Sequence, residues 1–205
     1  MRLRMLLAGA VAAGTLAACA GGSGSIPNAS SPFSADLAAP DTKPTANAIK
    51  NGCFDAGKAP WKLIKAVGAD KSNPPSGAVK IAKGGYGTCK HTAFAGTTKD
   101  PAPNGFFGVS QTVKMTKAGK LSWWYWGSST EDVKYGDQEV DVVVGGKIVD
   151  KCYAGDATNA KSAWKLATCT LSKYAGQTVT LQFGVFDNGY DKTYDNWNVS
   201  DIVLQ

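Results

Sequence analysis

The chain has 205 residues, 43% of them hydrophobic and 19% charged, a composition that excludes a wholly disordered protein. Its 22 Lys and Arg residues exceed its 16 Asp and Glu residues, which gives a formal net charge of +6, yet Arg2 and Arg4 are the only arginines. Because guanidinium groups make the bidentate contacts that read bases and phosphates, a nucleic-acid partner is not expected.

Residues 1–18 have the pattern of an export signal. After the basic start, the uncharged apolar stretch 5–18 is too short to span a bilayer comfortably and suits the apolar region of a signal peptide. It leads into the sequence LAAC at 16–19, which resembles the lipobox of bacterial lipoproteins. This resemblance implies cleavage before Cys19 and attachment of acyl chains to it. The alternative is an ordinary signal peptide followed by an incidental cysteine.

The predicted lipid anchor indicates where the protein resides. Several acyl chains hold a protein on a membrane more durably than one, so we expect an exported protein anchored to a bacterial membrane. Ala20, rather than an acidic residue, follows the cysteine, which favours the outer membrane if the cell has one. Residues 19–45 are rich in small and polar residues and predict a flexible linker. Residues 46–205 are then a single folded domain, which we expect to be a monomer.

The remaining cysteines are Cys53, Cys89, Cys152 and Cys169. An even number of cysteines in an exported domain predicts two disulfides, with three possible connectivities. Sequential pairing of Cys53 with Cys89 and of Cys152 with Cys169 is favoured, because each loop joins segments that have the pattern of consecutive strands. The alternative is a metal site, which the single histidine, the lack of a Cys-x-x-Cys motif and the oxidising compartment all disfavour.

Apolar residues alternate with period two in the folded domain, which predicts β-strands. The alternation is clear in segments 121–126, 139–144 and 178–185, and Gly-containing turns separate such segments. No long stripe with helical spacing is present in the sequence. Many short strands in about 160 residues predict an all-β fold, an antiparallel β-sandwich.

Several motifs, in chain order, resemble those of jelly-roll carbohydrate-binding modules of the galactose-binding-like type. They are NGCFD at 51–55 with Trp61, GVSQTV at 108–113, GKLSWWYW at 119–126, LSKYAGQTVTLQF at 171–183 after Trp164, and WNVSDIVL at 197–204. The resemblance covers the whole folded domain and implies a jelly-roll sandwich. Glycan binders, enzyme accessory modules and adhesion domains share this fold, so it implies carbohydrate binding only by analogy.

Outward-facing residues of the predicted strands are candidate ligand contacts. Strand parity turns Trp124 and Trp126 outward, together with Glu139 and Asp141 on the next strand and Gln182 on a later one. If these strands are neighbours, they combine indole rings with carboxylates and an amide, which is the mixture that sugars need. The alternative is that loops cover the two indoles as a second apolar layer, since exposed indoles favour aggregation.

The segment 187–196 is a second candidate for ligand contact. Its Asp, Asn and Gly residues at turn spacing predict a polar hairpin loop, and Tyr190 and Tyr194 could add aromatic contacts at its tip. The spacing does not match an EF-hand loop.

A structural calcium ion is implied by the resemblance alone. In the resembled modules, such an ion joins the first strand to the last through an acidic residue of each motif, and Asp55 and Asp201 occupy those positions. Two carboxylates are too few for calcium, so backbone carbonyls would have to complete the shell. Ser200 stands where the family has a further aspartate, which weakens the implication.

Catalysis is not expected from this sequence. The single histidine, His91, is better explained as a structural residue, and the Gly-x-Ser-x-Gly elbow of serine hydrolases is missing. Glu131 and Asp132, or Glu139 and Asp141, could form a glycosidase pair, but a domain of this size seldom provides the deep cleft required. We therefore expect a lipid-anchored, non-catalytic domain that binds carbohydrate or an envelope polymer. The alternative is a structural or adhesin lipoprotein that binds proteins and no sugar.

Overall fold

The computed structural model describes residues 47–67, 79–98, 104–117, 119–130, 136–155, 163–187 and 194–205. The predicted signal peptide, Cys19, the linker, the pair Glu131 and Asp132, and Tyr190 lie outside these residues, so the predictions about them stay predictions.

The described chain is built almost entirely from β-strands. They are β1 (Lys62–Val67), β2 (Val79–Lys83), β3 (His91–Gly96), β4 (Gly105–Lys114), β5 (Lys120–Ser129), β6 (Gly136–Val144), β7 (Lys147–Gly155), β8 (Lys165–Thr170), β9 (Thr178–Asp187) and β10 (Asp195–Leu204). One 3₁₀ turn, Ser172–Tyr174, leads into β9. Within the described ranges, no helix has the length and apolar character that a membrane crossing would require.

Two antiparallel sheets of five strands each pack face to face. The first sheet has the order β1-β4-β9-β6-β7, and the second has the order β2-β3-β10-β5-β8. The predicted all-β fold, an antiparallel β-sandwich, is confirmed. The glycine turn at 145–146 joins β6 to β7, and both glycines have positive φ, as a two-residue hairpin of type I′ requires.

The core lies between the two sheets and is unusually aromatic. Trp123 of β5 and Phe183 of β9 are almost fully buried, and their rings meet edge to face at 5.7 Å. Trp197 of β10 is also fully buried and is stacked with Tyr153 of β7 at 5.8 Å. Each pair joins one sheet to the other, so the core couples the two layers directly. The predicted inward parity of Trp123 is confirmed.

Two disulfides stabilise the sandwich, with the predicted pairing. Cys53 bonds to Cys89, and Cys152 bonds to Cys169. Cys152 lies on β7 and Cys169 on β8, which are edge strands of different sheets, so this disulfide ties the two layers together at one side. Disulfides of this kind form in oxidising compartments, which indicates that the folded domain resides outside the cytoplasm.

Candidate functional site

The outer face of the second sheet carries a row of side chains that crosses four strands. In the strand register, Lys80 of β2 lies opposite Phe94 of β3, Phe94 lies opposite Asn198 of β10, and Asn198 lies opposite Trp126 of β5. Residues directly opposite one another in antiparallel strands project to the same face. Since Trp197, the neighbour of Asn198, is buried in the core, this row faces away from the core.

Four aromatic rings, which we call the aromatic cluster, continue this row. The cluster consists of Tyr86, Trp124, Trp126 and Trp164, all half-buried. Tyr86 stacks on Trp124 with ring centroids 3.6 Å apart and an interplanar angle of 15°. Trp164 contacts Tyr86 at 6.0 Å and Trp126 at 6.3 Å, both at steep angles. The two indoles of β5 are therefore neither isolated in solvent nor sealed in a second apolar layer, because other rings support them.

Tyr86 is held over Trp124 by a constrained loop between β2 and β3. Its backbone amide donates to Oγ of Ser200 at 3.2 Å, and its carbonyl accepts from the amide of Cys89 at 2.9 Å. Cys89 is in turn fixed by its disulfide. A Cβ at Gly85 would collide with the carbonyl oxygen of His91, so only glycine fits there. The stacked pair is thus positioned by backbone and covalent constraints rather than by a mobile rotamer.

Asn198 lies in the row between Phe94 and Trp126 and is 4% exposed. Its Nδ2 has no hydrogen-bond partner among the described residues. The side chain of Asn196, two positions earlier on the same face, is satisfied, since its Nδ2 donates to the carbonyl of Thr97 at 3.3 Å and to Ser128 Oγ at 3.0 Å. An unsatisfied buried donor costs about 1–3 kcal/mol, which an acceptor oxygen supplied by a ligand would recover.

The carboxylates predicted to accompany the indoles lie elsewhere. Glu139 and Asp141 are on β6 and Gln182 is on β9, and both strands belong to the first sheet, whereas Trp124 and Trp126 belong to the second. The condition for these five residues to share one face, that their strands are neighbours, is not met. The physical reason is that the chain passes to the other layer between β5 and β6, which strand parity alone does not reveal.

Glu139 and Asp141 are buried on the outer side of the first sheet, at 5% and 1% exposure. Glu139 Oε2 forms an ion pair with Lys151 Nζ at 2.6 Å. Burial, reinforced by the charge of Glu139 and opposed by Lys151, raises the pKa of Asp141 to about 7. Gln182 lies opposite Asp141 on β9 and is half-buried. Contact of these three residues with a ligand stays a prediction.

Tyr194 is half-buried at the start of β10 and is fastened to the end of β5. Its amide donates to Thr130 Oγ1 at 3.0 Å, and its carbonyl accepts from the amide of Thr130 at 3.0 Å. These two hydrogen bonds join the start of β10 to the end of β5. Ligand contact by Tyr194 stays a prediction.

Asp55 has a hydrogen-bonding role at the start of β3. Its Oδ1 accepts from the backbone amides of Lys90 at 2.9 Å and His91 at 3.1 Å, and lies 3.1 Å from Nδ1 of His91. Although desolvation opposes the effect, the hydrogen bond from the His91 ring and those two amides lower the pKa of Asp55. The contact also gives His91 a structural role.

The two carboxylates proposed as calcium ligands have other neighbours in the structure. Within the described ranges, the group of candidate metal ligands that includes Asp201 contains Cys53 and Cys89, but not Asp55. Both cysteines are in a disulfide and cannot act as thiolates. Donors already surround Oδ1 of Asp55. Calcium binding therefore stays a prediction that rests on the resemblance alone.

No model of a protein family matches the sequence, and no curated protein matches it. Solved structures do match. The fold is similar to that of the carbohydrate-binding module TmCBM61, determined in complex with β-1,4-galactotriose, with a TM-score of 0.54 and 18% identity over 78% of this chain and 99% of that one. The jelly-roll fold that the motifs predict, that of carbohydrate-binding modules, is confirmed.

Two enzymes also contain a similar domain. The enzymatically active domain of tailspike protein 4 of bacteriophage CBA120 matches with a TM-score of 0.51 and 12% identity over 77% of this chain, which spans 21% of that one. The arabinose-bound α-L-arabinofuranosidase MgGH51 matches with a TM-score of 0.50 and 14% identity over 78% of this chain and 26% of that one. At these identities the likeness concerns the fold, and the chain corresponds to only a fraction of either enzyme.

Proposed function

We propose that the β-sandwich is a non-catalytic carbohydrate-binding domain and that the aromatic cluster with Asn198 is its binding face. The single observation that carries the proposal is the unpaired, buried Nδ2 of Asn198, which lies next to Trp126 in the row that the aromatic cluster continues. A site that combines apolar ring faces with a fixed, unsatisfied polar group is suited to an amphipathic ligand.

The chemistry of the face favours a neutral sugar chain. The CH faces of pyranose rings pack on indole and phenol rings, while Nδ2 of Asn198 can donate to a hydroxyl or ring oxygen. Across the described residues of the row and the cluster, the only charged side chain is Lys80, whose ammonium lies 5.3 Å from the centre of the Phe94 ring. A glycosidase needs two carboxyl groups beside the sugar, and the described row and cluster supply neither, so binding without cleavage is proposed.

We also propose that the domain is anchored to a bacterial membrane through acyl chains on Cys19; the predicted export signal and the lipobox-like sequence LAAC at 16–19 support this. Replacing this residue, Cys19→Ser, tests the anchor. The expected result is that the chain moves from the membrane fraction to the soluble fraction. A variant that stays in the membrane fraction to the same extent as the wild type would contradict lipidation at Cys19.

The sugar proposal is tested by calorimetric titration of the full chain with neutral polysaccharides and their oligosaccharides. β-1,4-galactan fragments are the first probe, because β-1,4-galactotriose is the ligand in the TmCBM61 complex. Trp124→Ala should weaken binding about tenfold or more, the effect expected for a central aromatic contact. The matched control is Phe186→Ala, which removes a ring that is 39% exposed in the first sheet and should leave affinity unchanged.

Asn198→Ala gives a second and sharper readout. Because Nδ2 has no partner within the described chain, its removal should leave the free energy of unfolding unchanged or raise it, while weakening sugar binding. Loss of stability without loss of affinity would contradict the assigned role. If the wild type binds no polysaccharide of the panel, the proposal fails, and capture of a protein partner that depends on Trp124 would then favour the adhesin alternative.

A further inference from the structure

A pocket on the first sheet has a chemistry unlike that of the aromatic cluster. It has a volume of about 550 Å³ and lies where β4 extends past the first residue of β1. The pairing of β1 with β4 begins at Lys62 opposite Ser110, whereas β4 extends to Lys114. Four residues of β4 beyond Ser110 therefore lack a β1 partner, and the pocket occupies this step. Its size is within the range of known small-molecule sites, about 300–1,000 Å³.

The wall of the pocket is held in place by a side chain that substitutes for strand pairing. The backbone amide of Lys50 donates to Oε1 of Gln111 at 2.9 Å, and Nε2 of Gln111 donates to the carbonyl of Lys50 at 2.9 Å. Across the floor, the hydroxyls of Thr112 and Thr180 are hydrogen-bonded to each other at 2.8 Å. These hydrogen bonds hold the part of the lining that Gln111, Thr112 and Thr180 form.

Three lysines, Lys50, Lys62 and Lys114, line this pocket, and its described lining contains no carboxylate. None of the three forms an ion pair in the part of the chain that the structure describes. Lys114 Nζ donates to the carbonyl of Gly176 at 2.7 Å, which points this ammonium toward the start of β9 and leaves it two further donors. Like charges that share a cavity repel each other, so an anion that enters it is attracted by all three.

We propose that this lysine pocket binds acidic sugar residues of an anionic polysaccharide, with the carboxylate against the lysines. The hydroxyls of Ser110, Thr112 and Thr180 line the same pocket and can bond to the hydroxyls of the sugar. The apolar lining is limited to small side chains, which offer little surface for acyl chains to pack against. A lipid headgroup is therefore disfavoured as the ligand. The pocket belongs to the first sheet and the aromatic cluster to the second, so this inference does not rest on the proposed function.

The experiment is calorimetric titration of the full chain with polygalacturonate oligomers, with neutral galactan oligomers as the comparison. Lys62→Gln and Lys114→Gln should each weaken binding of the acidic oligomer by about tenfold, since hydrogen bonds to charged groups are the strong ones. The matched control is Lys147→Gln, which removes the same charge from an exposed lysine at the opposite edge of the same sheet. It should change affinity less than about twofold.

Three results would overturn the inference. Equal losses in the Lys147→Gln control would show attraction by net charge alone, and binding of inorganic phosphate as tightly as the acidic oligomer would show a simple anion site. Stronger binding to vesicles of anionic lipid than to the oligomer, lost in Lys62→Gln, would identify a headgroup instead. Trp124→Ala should leave binding of the acidic oligomer intact, so failure of the lysine pocket and failure of the aromatic cluster are distinguishable.

Discussion

Stability should fall as the pH rises from acid toward neutrality, because Asp141 is buried on the outer side of the first sheet beside Glu139 and Lys151. Desolvation raises the pKa of Asp141 to about 7, against 3.8 for the free side chain, and the charge of Glu139 adds to the effect. A raised carboxyl pKa means that the folded state holds a proton that the unfolded state has already lost. The contribution of Asp141 to stability is therefore complete below pH 3.8 and is lost as the pH rises to about 7.

The size of this effect follows from the shift. Each pKa unit corresponds to about 1.4 kcal/mol, and pH 5 lies roughly two units below the raised pKa. The free energy of unfolding should therefore fall by at most about 3 kcal/mol between pH 5 and that pKa. Solvent screening reduces effects of this kind, and we expect about 1–2 kcal/mol of lost stability between pH 5 and pH 8. Asp141→Asn cannot ionise, so it should abolish most of this pH dependence and be more stable than the wild type at pH 8.

Urea unfolding of the full chain at a series of pH values measures this directly, since urea adds no ionic strength. Asp150→Asn is the matched control, with the opposite sign. The ion pair of Asp150 with Lys173 at 2.8 Å and a hydrogen bond from Tyr174 lower its pKa, so its contribution is present at neutral pH and disappears in acid. The reasoning about Asp141 is refuted if wild-type stability is flat or rises between pH 5 and pH 8, or if Asp141→Asn keeps the wild-type profile.

Other substitutions test the fold and the site. Removing the disulfide of Cys53, which spans 36 residues, should cost about 4 kcal/mol, and removing that of Cys152, which spans 17, about 3 kcal/mol, as measured by urea unfolding with both partners replaced. Trp123→Ala should cost about 3–5 kcal/mol in the same assay, because the side chain is fully buried. Gly85→Ala should weaken sugar binding, because the added Cβ displaces the loop that holds Tyr86 over Trp124. The melting temperature should fall only slightly. A chelator that lowers the melting temperature would support the calcium site predicted at Asp55 and Asp201, and an unchanged melting temperature would exclude it.

The period-two alternation predicts which face of its own strand a side chain occupies. The alternation on β5 correctly separates the buried Trp123 from the outward Trp124 and Trp126, and the alternation on β6 places Val140 on the core face and Glu139 on the outer face of the sheet. The disulfide pairing was predicted on the expectation that each pair joins consecutive strands. This holds for Cys152 and Cys169 on β7 and β8, whereas β1 and β2 lie between Cys53 and Cys89. Strand parity, by contrast, is local and is enough to determine which face a side chain occupies.

The alternation within a strand does not reveal which of the two sheets that strand joins. Glu139 and Trp124 have the same outward parity on strands that follow one another in sequence, yet they lie on opposite sides of the molecule because β5 and β6 belong to different sheets. A local pattern does not state whether a connection forms a hairpin or crosses to the other layer. For the same reason, the lysine pocket could not be predicted, since it depends on where β1 begins relative to β4.

The aromatic cluster depends on contacts that are remote in sequence. Tyr86 and Trp164 come from a loop and from the approach to β8, and nothing in their local pattern directs them to Trp124 or Trp126. The one signal that the sequence did carry is on β10, where asparagine and serine at 196, 198 and 200 alternate with buried apolar residues. When a central strand has one face of buried polar side chains, groups of the protein or of a ligand, rather than solvent, must form hydrogen bonds with those side chains.

The position of β10 links the completion of the fold to the formation of the site. It is the last of the described strands and the central strand of the second sheet, so that sheet is complete only when β10 is in place. The same strand supplies Trp197 to the core and Asn198 to the outer face. The step that seals the core between the sheets is therefore also the step that places Asn198 between Phe94 and Trp126, and a binding face built in this way exists only on the fully folded domain.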